Sequence, residues 1–123
     1  MADAVKSFHD LEAWQKAMEL MTVIYQVSQK FPKEALYNLT CQLRRDTIYI
    51  PSSIAEGQGM SSPGEFQQFI SQARDSLAEV ETQIISVSDL GYLEKPEFTH
   101  IMELIAQVGK LLQELLSSIL KTK

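Results

Sequence analysis

The feature of this sequence that most limits its fold is an apolar repeat whose spacing alternates between four and three residues for three heptads. Its members are Phe66, Ile70, Ala73, Leu77, Val80, Ile84 and Val87. An α-helix places such a set on one face, and this alternation is typical of helices that pack side by side in left-handed bundles. The repeat therefore predicts a long helix, over about 63–89, that needs other helices to cover its apolar face.

The start and the end of this helix are also marked in the sequence. Ser62 stands where an N-cap accepts a backbone hydrogen bond, Pro63 suits the first helical position, and Glu65 completes a capping box. Gly91 follows the last apolar residue and is expected to end the helix.

A first helix is predicted over about 10–30, with Asp10 as its N-cap. Leu11, Trp14, Met18, Met21 and Tyr25 recur at spacings of three and four and predict its buried stripe. A second apolar strip on the same helix consists of Ala13, Leu20, Val23 and Val27. This helix thus carries more apolar surface than the core of a simple bundle needs.

A second helix is predicted over about 36–57. Pro51 falls inside it, where the missing N–H and the clash with the carbonyl of Thr47 predict a kink or a break. Gly57 and Gly59 are expected to stop this helix.

A fourth helix, over about 96–120, has a wide apolar face of its own. Because every connection is short, neighbouring helices are expected to run antiparallel. The sequence therefore predicts an all-α, antiparallel up-down four-helix bundle in a single domain spanning 1–123. The wide apolar arcs of the first and fourth helices predict an oligomer.

Side-chain patterns that support catalysis are missing from the sequence. It contains no phosphate-binding glycine loop and no paired zinc-binding histidines, and the lone Cys41 has no adjacent histidine to activate it. Glu97 and His100 have the spacing of a di-iron motif, but a second motif is lacking, and an acid at Glu97 suits a helix start. We therefore expect no enzyme activity, no metal and no cofactor.

Charge and hydropathy bear on location and on nucleic acids. No apolar run is long enough to cross a bilayer and no signal peptide is evident, so we expect a cytoplasmic protein without membrane contact. The net charge is −5, and residues 61–90 hold five carboxylates against one arginine. RNA binding is disfavoured by this acidic balance, since phosphate contacts require a basic surface.

One polar pattern stands out on the second helix, roughly opposite its apolar stripe. It consists of Gln42, Arg45, Tyr49, Ser52 and Glu56, spaced by three or four residues. Arg45 and Tyr49 are placed to stack, and Ser52 and Glu56 to hydrogen-bond. Three interpretations remain open: a solvent-facing stripe, a polar seam between subunits, and a contact with a ligand or RNA.

Part of this helix resembles a known signature. The segments are Gln42-Leu43-Arg44-Arg45 and Ile50-Pro51-Ser52-Ser53-Ile54-Ala55-Glu56-Gly57. They resemble the bacterial four-helix bundle proteins encoded in intervening sequences of large-subunit ribosomal RNA genes. Further matches, from Phe8-His9-Asp10-Leu11 to Leu90-Gly91-Tyr92-Leu93, extend the likeness over nearly the whole chain.

The resemblance implies a homopentamer built as a barrel around a central channel. It also implies kinship to the accessory variability determinant of diversity-generating retroelements, a basic protein that works with a reverse transcriptase and its RNA. Asp46 and Asp75 depart from the family pattern by adding negative charge, while Tyr49 and Ser53 replace the usual serine and asparagine. The basic surface of that relative is therefore not expected here.

Two functions follow as hypotheses. The first is a non-enzymatic, oligomeric assembly or interaction protein that presents a surface to a protein partner. The alternative is an RNA-binding adaptor in which Arg44, Arg45 and Arg74 of several subunits form a ring in the homopentamer.

Overall fold

The computed structural model describes residues 7–121, and within them the chain is built of helices alone. The elements are a 3₁₀ turn at Phe8–Asp10, α1 at Glu12–Ser28, α2 at Lys33–Gln58, α3 at Pro63–Asp89 and α4 at Lys95–Lys121. Each helix packs against the one before it, and α4 returns to pack against α1. The antiparallel four-helix bundle predicted from the sequence is confirmed.

The helix α3 follows its sequence signals closely. All members of the heptad repeat are buried except Phe66, which is half-buried. The Ser62 hydroxyl accepts a hydrogen bond from the Glu65 backbone N–H at 3.1 Å, as an N-cap should. At the other end, the N–H groups of Gly91 and Tyr92 bond the carbonyls of Ser88 and Val87, and Gly91 has a φ of 86°. This is a Schellman motif, whose left-handed residue favours glycine.

In α1 the predicted buried stripe is wrong except for its first member, Leu11, which is buried just before the helix begins. The buried residues are Ala13, Ala17, Leu20, Ile24 and Val27, together with Ser28 near the helix end. The other residues expected in the core are half-buried at its edge; they are Trp14, Met18, Met21 and Tyr25. Small alanines allow α1 to approach its neighbours closely, and the larger side chains then fit only at the flank. Because both strips have the same period, the spacing alone did not decide which one is buried.

The start of α1 also differs from the prediction. Asp10 belongs to the 3₁₀ turn, and Leu11 is the N-cap residue, without a capping side chain. The turn brings the Phe8 and His9 rings into a stack with centroids 4.1 Å apart. Trp14 meets both rings edge-on, at 5.3 Å and 5.1 Å. An aromatic cluster therefore covers the beginning of α1.

The helix α2 is not broken at Pro51. Its one residue with non-helical angles is Leu36, with φ −120° and ψ 19°, so the kink lies one turn after the helix begins. Proline at φ near −65° has a helical conformation, and it costs the helix mainly one hydrogen bond. Ile50 and Ile54, fully buried on either side of Pro51, hold both halves of the helix in the core.

Gly57 does not stop α2, as the sequence suggested, but lies inside it and is buried. A Cβ atom at this position would lie 2.8 Å from Cδ1 of Phe66 and 2.9 Å from Cβ of Phe69. Glycine is therefore what allows α2 and α3 to approach here. The helix ends one residue later, and Gly59 is the C-cap.

Candidate interaction surface

The polar pattern predicted on α2 forms a continuous outer stripe. We call Gln42, Arg45, Tyr49, Ser52 and Glu56 the outer stripe of α2. All of them are exposed, on the side of the helix away from its buried residues. The arrangement on one face follows from the spacing of three and four residues.

The contacts expected within the outer stripe do not form. Arg45 neither stacks on Tyr49 nor makes an ion pair or hydrogen bond with any described residue. Tyr49 instead turns toward α3, where its hydroxyl donates a hydrogen bond to Oε1 of Gln72 at 3.2 Å. The Ser52 and Glu56 side chains, both within the described part of the chain, likewise form no hydrogen bond with each other. Four of the five side chains thus leave their polar groups available to a partner.

Arg44 has a different environment from its neighbour Arg45. It lies 100° further round the helix and packs half-buried against α1. Its guanidinium carbon is 4.8 Å from the centre of the Tyr25 ring, a cation–π contact. Its Nε donates a hydrogen bond to Oγ of Ser28 at 2.8 Å, and Nη2 reaches the Tyr25 carbonyl at 3.4 Å. Arg44 therefore joins α1 to α2.

The three arginines of the alternative hypothesis do not meet within one chain. Arg44 is held against α1, Arg45 projects from the outer stripe, and Arg74 is exposed on α3. Since Arg44 and Arg45 point in different directions, adjacent positions in the sequence do not give one basic patch.

Helical spacing places three apolar side chains beside the outer stripe, on the flanks where α1 meets α2. The Arg44–Tyr25 contact sets the register of the two antiparallel helices, so one turn away Ile48 of α2 lies level with Met21 of α1. Met18, on the next turn, continues the line. We call Met18, Met21 and Ile48 the α1–α2 strip; the methionines are half-buried and Ile48 is 44% exposed.

The position of the α1–α2 strip matters because it lies near the middle of α2. Of the other exposed large apolar side chains, Met60, Leu90, Tyr92 and Leu120 lie in turns or near helix ends, Tyr37 lies near the start of α2, and Ile85 lies one turn from the end of α3. Exposure at an end is ordinary in a small bundle, whereas an isoleucine exposed at mid-helix beside two methionines is typical of a contact surface.

The opposite flank of α2 is closed by polar contacts with α3. Nε2 of Gln83 donates a hydrogen bond to Oδ2 of Asp46 at 3.0 Å, and this pair adds to the Tyr49–Gln72 bond. Asp46, which departs from the family pattern, thus contributes to helix packing. Sequence reasoning recognised its charge but missed its partner, because Gln83 lies 37 residues away.

Glu97 makes contacts that suit a helix start. Glu97 forms an ion pair with Lys30 and accepts a hydrogen bond from the Glu94 backbone N–H at 3.1 Å. The hydrogen bond from Lys30 holds the pKa of the Glu97 carboxyl below its usual range, and the same bond raises the pKa of Lys30. Among residues 7–121, no three histidine, cysteine or acidic side chains form a group suited to a metal ion.

Over residues 7–121, no helix has both the length and the apolar character that a membrane span requires.

A family model for the 23S rRNA-intervening sequence protein matches residues 9–114. The chain belongs to this family. The match covers most of the described bundle, including the outer stripe of α2, and confirms the resemblance seen in the signature of α2.

A solved structure shares the fold of this chain. A protein of unknown function of the S23 ribosomal protein family from Bacteroides thetaiotaomicron VPI-5482 superposes with a TM-score of 0.79. The alignment covers 85% of this chain and 97% of that one at 18% identity, so it supports a shared fold. Among curated proteins, none matches this chain. Neither the family description nor that of the structural neighbour names a catalytic activity.

Proposed function

We propose that this family member is a non-enzymatic assembly module. Copies of the chain associate through the α1–α2 strip, and the assembly presents the outer stripe of α2 to a protein partner. The homopentamer implied by the family resemblance is the assembly we propose.

The observation that carries this proposal is the exposed α1–α2 strip. Met18, Met21 and Ile48 leave apolar surface in water at mid-helix, and burial of such surface is the main driving force of association, at about 25 cal/mol per Å². Methionine is also enriched in the buried centre of interfaces.

The surroundings of Cys41 and His100 support a function in binding. Cysteine catalysis that relies on a general base needs an imidazole or a carboxylate beside the thiol. Cys41 lies in a cleft beside Arg44 and Lys33, and no histidine or carboxylate is among the residues that line it. His100 lines a different cleft, beside Lys30 and Glu97, and is not among the residues that line the cleft of Cys41.

The composition of the outer stripe favours a protein over RNA as the partner. Arg45 and Glu56 balance in charge, and the remaining side chains are neutral hydrogen-bonding groups. Arg44 uses two of its nitrogens on α1, and Arg74 lies on another helix. The RNA-binding adaptor remains a prediction from the sequence, and no contact described here favours it.

The mass of the protein in solution tests the proposal. Sedimentation velocity at about 1–50 μM should give a species of several chains for the wild type. Ile48→Glu should shift it toward the monomer, because a carboxylate in the interface centre would lose its hydration. Leu120→Glu, which alters a side chain of similar exposure near the end of α4, should leave the mass unchanged.

Two results would overturn the proposal. A wild type that remains monomeric at 50 μM would remove self-association altogether. An Ile48→Glu variant that stays folded by circular dichroism and assembles like the wild type would show that the α1–α2 strip is not the interface.

A further inference from the structure

A cleft of about 510 Å³ opens where the end of α1 meets the first turns of α2. Its walls include Ser28, Lys33, Tyr37, Thr40, Cys41 and Arg44. The volume lies within the range of about 300–1,000 Å³ that is usual for small-molecule sites. The cleft lies on the other side of the Arg44–Tyr25 contact from Met21 and Ile48, so it is separate from the α1–α2 strip.

The charge of this cleft is opposite to that of the whole chain. The chain carries −5, yet the residues lining the cleft include two cations, Lys33 and Arg44, and no carboxylate. The hydroxyls of Tyr37 and Thr40 add hydrogen-bonding groups to its walls, whereas that of Ser28 already donates to the Tyr25 carbonyl. A concave site with this lining favours an anion.

Arg44 is held in a fixed orientation within the wall. The Tyr25 ring lies against its guanidinium, the Ser28 hydroxyl accepts from Nε, and the Tyr25 carbonyl accepts from Nη2. A guanidinium has five N–H donors, so the two terminal nitrogens still have three of them. Paired terminal nitrogens match the two oxygens of a carboxylate or phosphate group, and prior anchoring reduces the entropy lost on binding.

The aromatic wall of the cleft indicates the rest of the ligand. Tyr37 is 66% exposed, and Phe31 lies buried beneath the cleft. An exposed tyrosine beside two cations offers its ring face to a planar group while the cations hold a charged end.

We propose that this cleft binds a small organic anion in which a carboxylate or phosphate group is attached to a planar ring. Arg44 binds the acidic group through its terminal nitrogens, Lys33 adds charge at the rim, and the planar ring lies against Tyr37. The ligand site is a property of each chain and does not require the assembly proposed above.

Ligand-observed NMR with the full chain tests this site using four probes: phenyl phosphate, benzoate, inorganic phosphate and benzyl alcohol. Phenyl phosphate or benzoate should bind saturably, with one site per chain. Inorganic phosphate and benzyl alcohol should each bind at least about tenfold more weakly, since each lacks one of the two recognised groups. The preference between phenyl phosphate and benzoate identifies the acidic group.

Variants locate the binding in the cleft. Arg44→Gln should weaken binding about tenfold or more, as expected for a lost charged hydrogen bond. Because this change also loosens α1 from α2, Lys33→Gln and Tyr37→Ala serve as second variants, and each should weaken binding several-fold. Arg45→Gln removes the same charge as Arg44→Gln outside the cleft and should leave the affinity unchanged.

Several outcomes would overturn the proposal. No saturable binding of phenyl phosphate or benzoate below 10 mM, on the order of the weakest specific sites, would remove it. Equal weakening by Arg45→Gln and Lys33→Gln would mean that only overall charge matters. Benzyl alcohol binding as tightly as benzoate would remove the anion site, and inorganic phosphate binding as tightly as phenyl phosphate would remove the ring contact. None of these outcomes changes the sedimentation result that tests self-association.

Discussion

The contact between α2 and α3 and the contacts that hold α1 are built differently. Gly57 lets α2 lie close against Phe66 and Phe69, and the Asp46–Gln83 hydrogen bond is one of two between the same helices. By contrast, the polar links of α1 to the other helices are Arg44 of α2 on one side and the Lys30–Glu97 pair, which joins its end to α4, on the other. Helix α1 is also the one whose half-buried methionines border the proposed interface. Helix α1, which borders the proposed assembly surface, thus has its polar links to α2 and α4 near its C-terminal end.

The largest effect should come from closing the space at Gly57. Gly57→Val places side-chain atoms against Phe66 and Phe69, and the Cβ of Phe69 can move only with its helix. The free energy of unfolding should fall by about 2–3 kcal/mol, the range for overpacking a core. Urea unfolding followed by circular dichroism measures this.

A matched change at another glycine is the control. A Cβ at Gly64 would meet nothing within 4 Å, so Gly64→Ala should leave the stability unchanged or raise it by less than about 1 kcal/mol. If Gly57→Val unfolds at the wild-type urea concentration, the close contact between α2 and α3 is not what stabilises this pair.

A smaller effect is expected where α1 meets α2. Arg44→Ala removes the hydrogen bond to Ser28 and the contact with Tyr25, and should lower the free energy of unfolding by about 1–2 kcal/mol. Arg45→Ala, one position along, should change it by less than about 0.5 kcal/mol. Equal losses from the two variants, in urea unfolding at one protein concentration, would contradict the role of Arg44 in joining these helices.

The smallest effect should come from the Lys30–Glu97 ion pair, because Lys30 is exposed. The pKa of Glu97 is lowered by folding, so its stabilisation is present above the ordinary pKa of 4.5 and is lost as the pH falls through the folded value. The pKa of Lys30 is raised from 10.5, so its share is present below that value and is lost as the pH rises through the folded pKa.

Urea unfolding of Glu97→Gln against pH measures this pair. The variant should be slightly less stable than the wild type at pH 7, and the difference should vanish in strong acid. Lys30→Gln should reproduce the loss at pH 7, and the double variant should lose no more than either single one. A difference that persists unchanged in strong acid would mean that the ion pair does not stabilise the fold.

The contrast between α3 and α1 explains how much of the fold could be predicted. In α3 a single apolar stripe lies opposite polar residues, so the sequence shows both the spacing of the stripe and which face is buried. Ser62 and Gly91 mark the ends of this helix. In α1 two apolar strips compete, and the alanines of the true core look less hydrophobic than Trp14 or Met18. The spacing of an apolar pattern is a property of a single helix, whereas the face that becomes buried depends on which neighbouring helices approach it.

The errors in α2 have a related cause. Pro51 and Gly57 each tend to break or end an isolated helix, which is why the sequence predicted a kink and a stop. Both lie inside a helix that other helices hold in place. Tertiary packing overrides such preferences when the residues around them are buried. A glycine nine residues before Phe66 does not reveal by spacing alone that its missing side chain is the contact.

The helix face on which the candidate site lies could be predicted from the sequence, but the contacts of its side chains could not. The spacing placed the outer stripe of α2 on one exposed face, as observed. It did not reveal that Arg44 would lie against Tyr25, since that partner is 19 residues away on another helix. The position of Arg44 directly after the buried Leu43, at the flank of the apolar face, was the available signal.

The aromatic cluster at the start of α1 has a practical consequence. Trp14 is the sole tryptophan of the chain, and its indole lies edge-on to the rings of Phe8 and His9. Tryptophan fluorescence, excited selectively over the tyrosines, therefore reports on one helix of the four, the one beside the proposed interface. Emission that changes before the helical circular dichroism signal is lost would reveal α1 detaching while the other three helices persist.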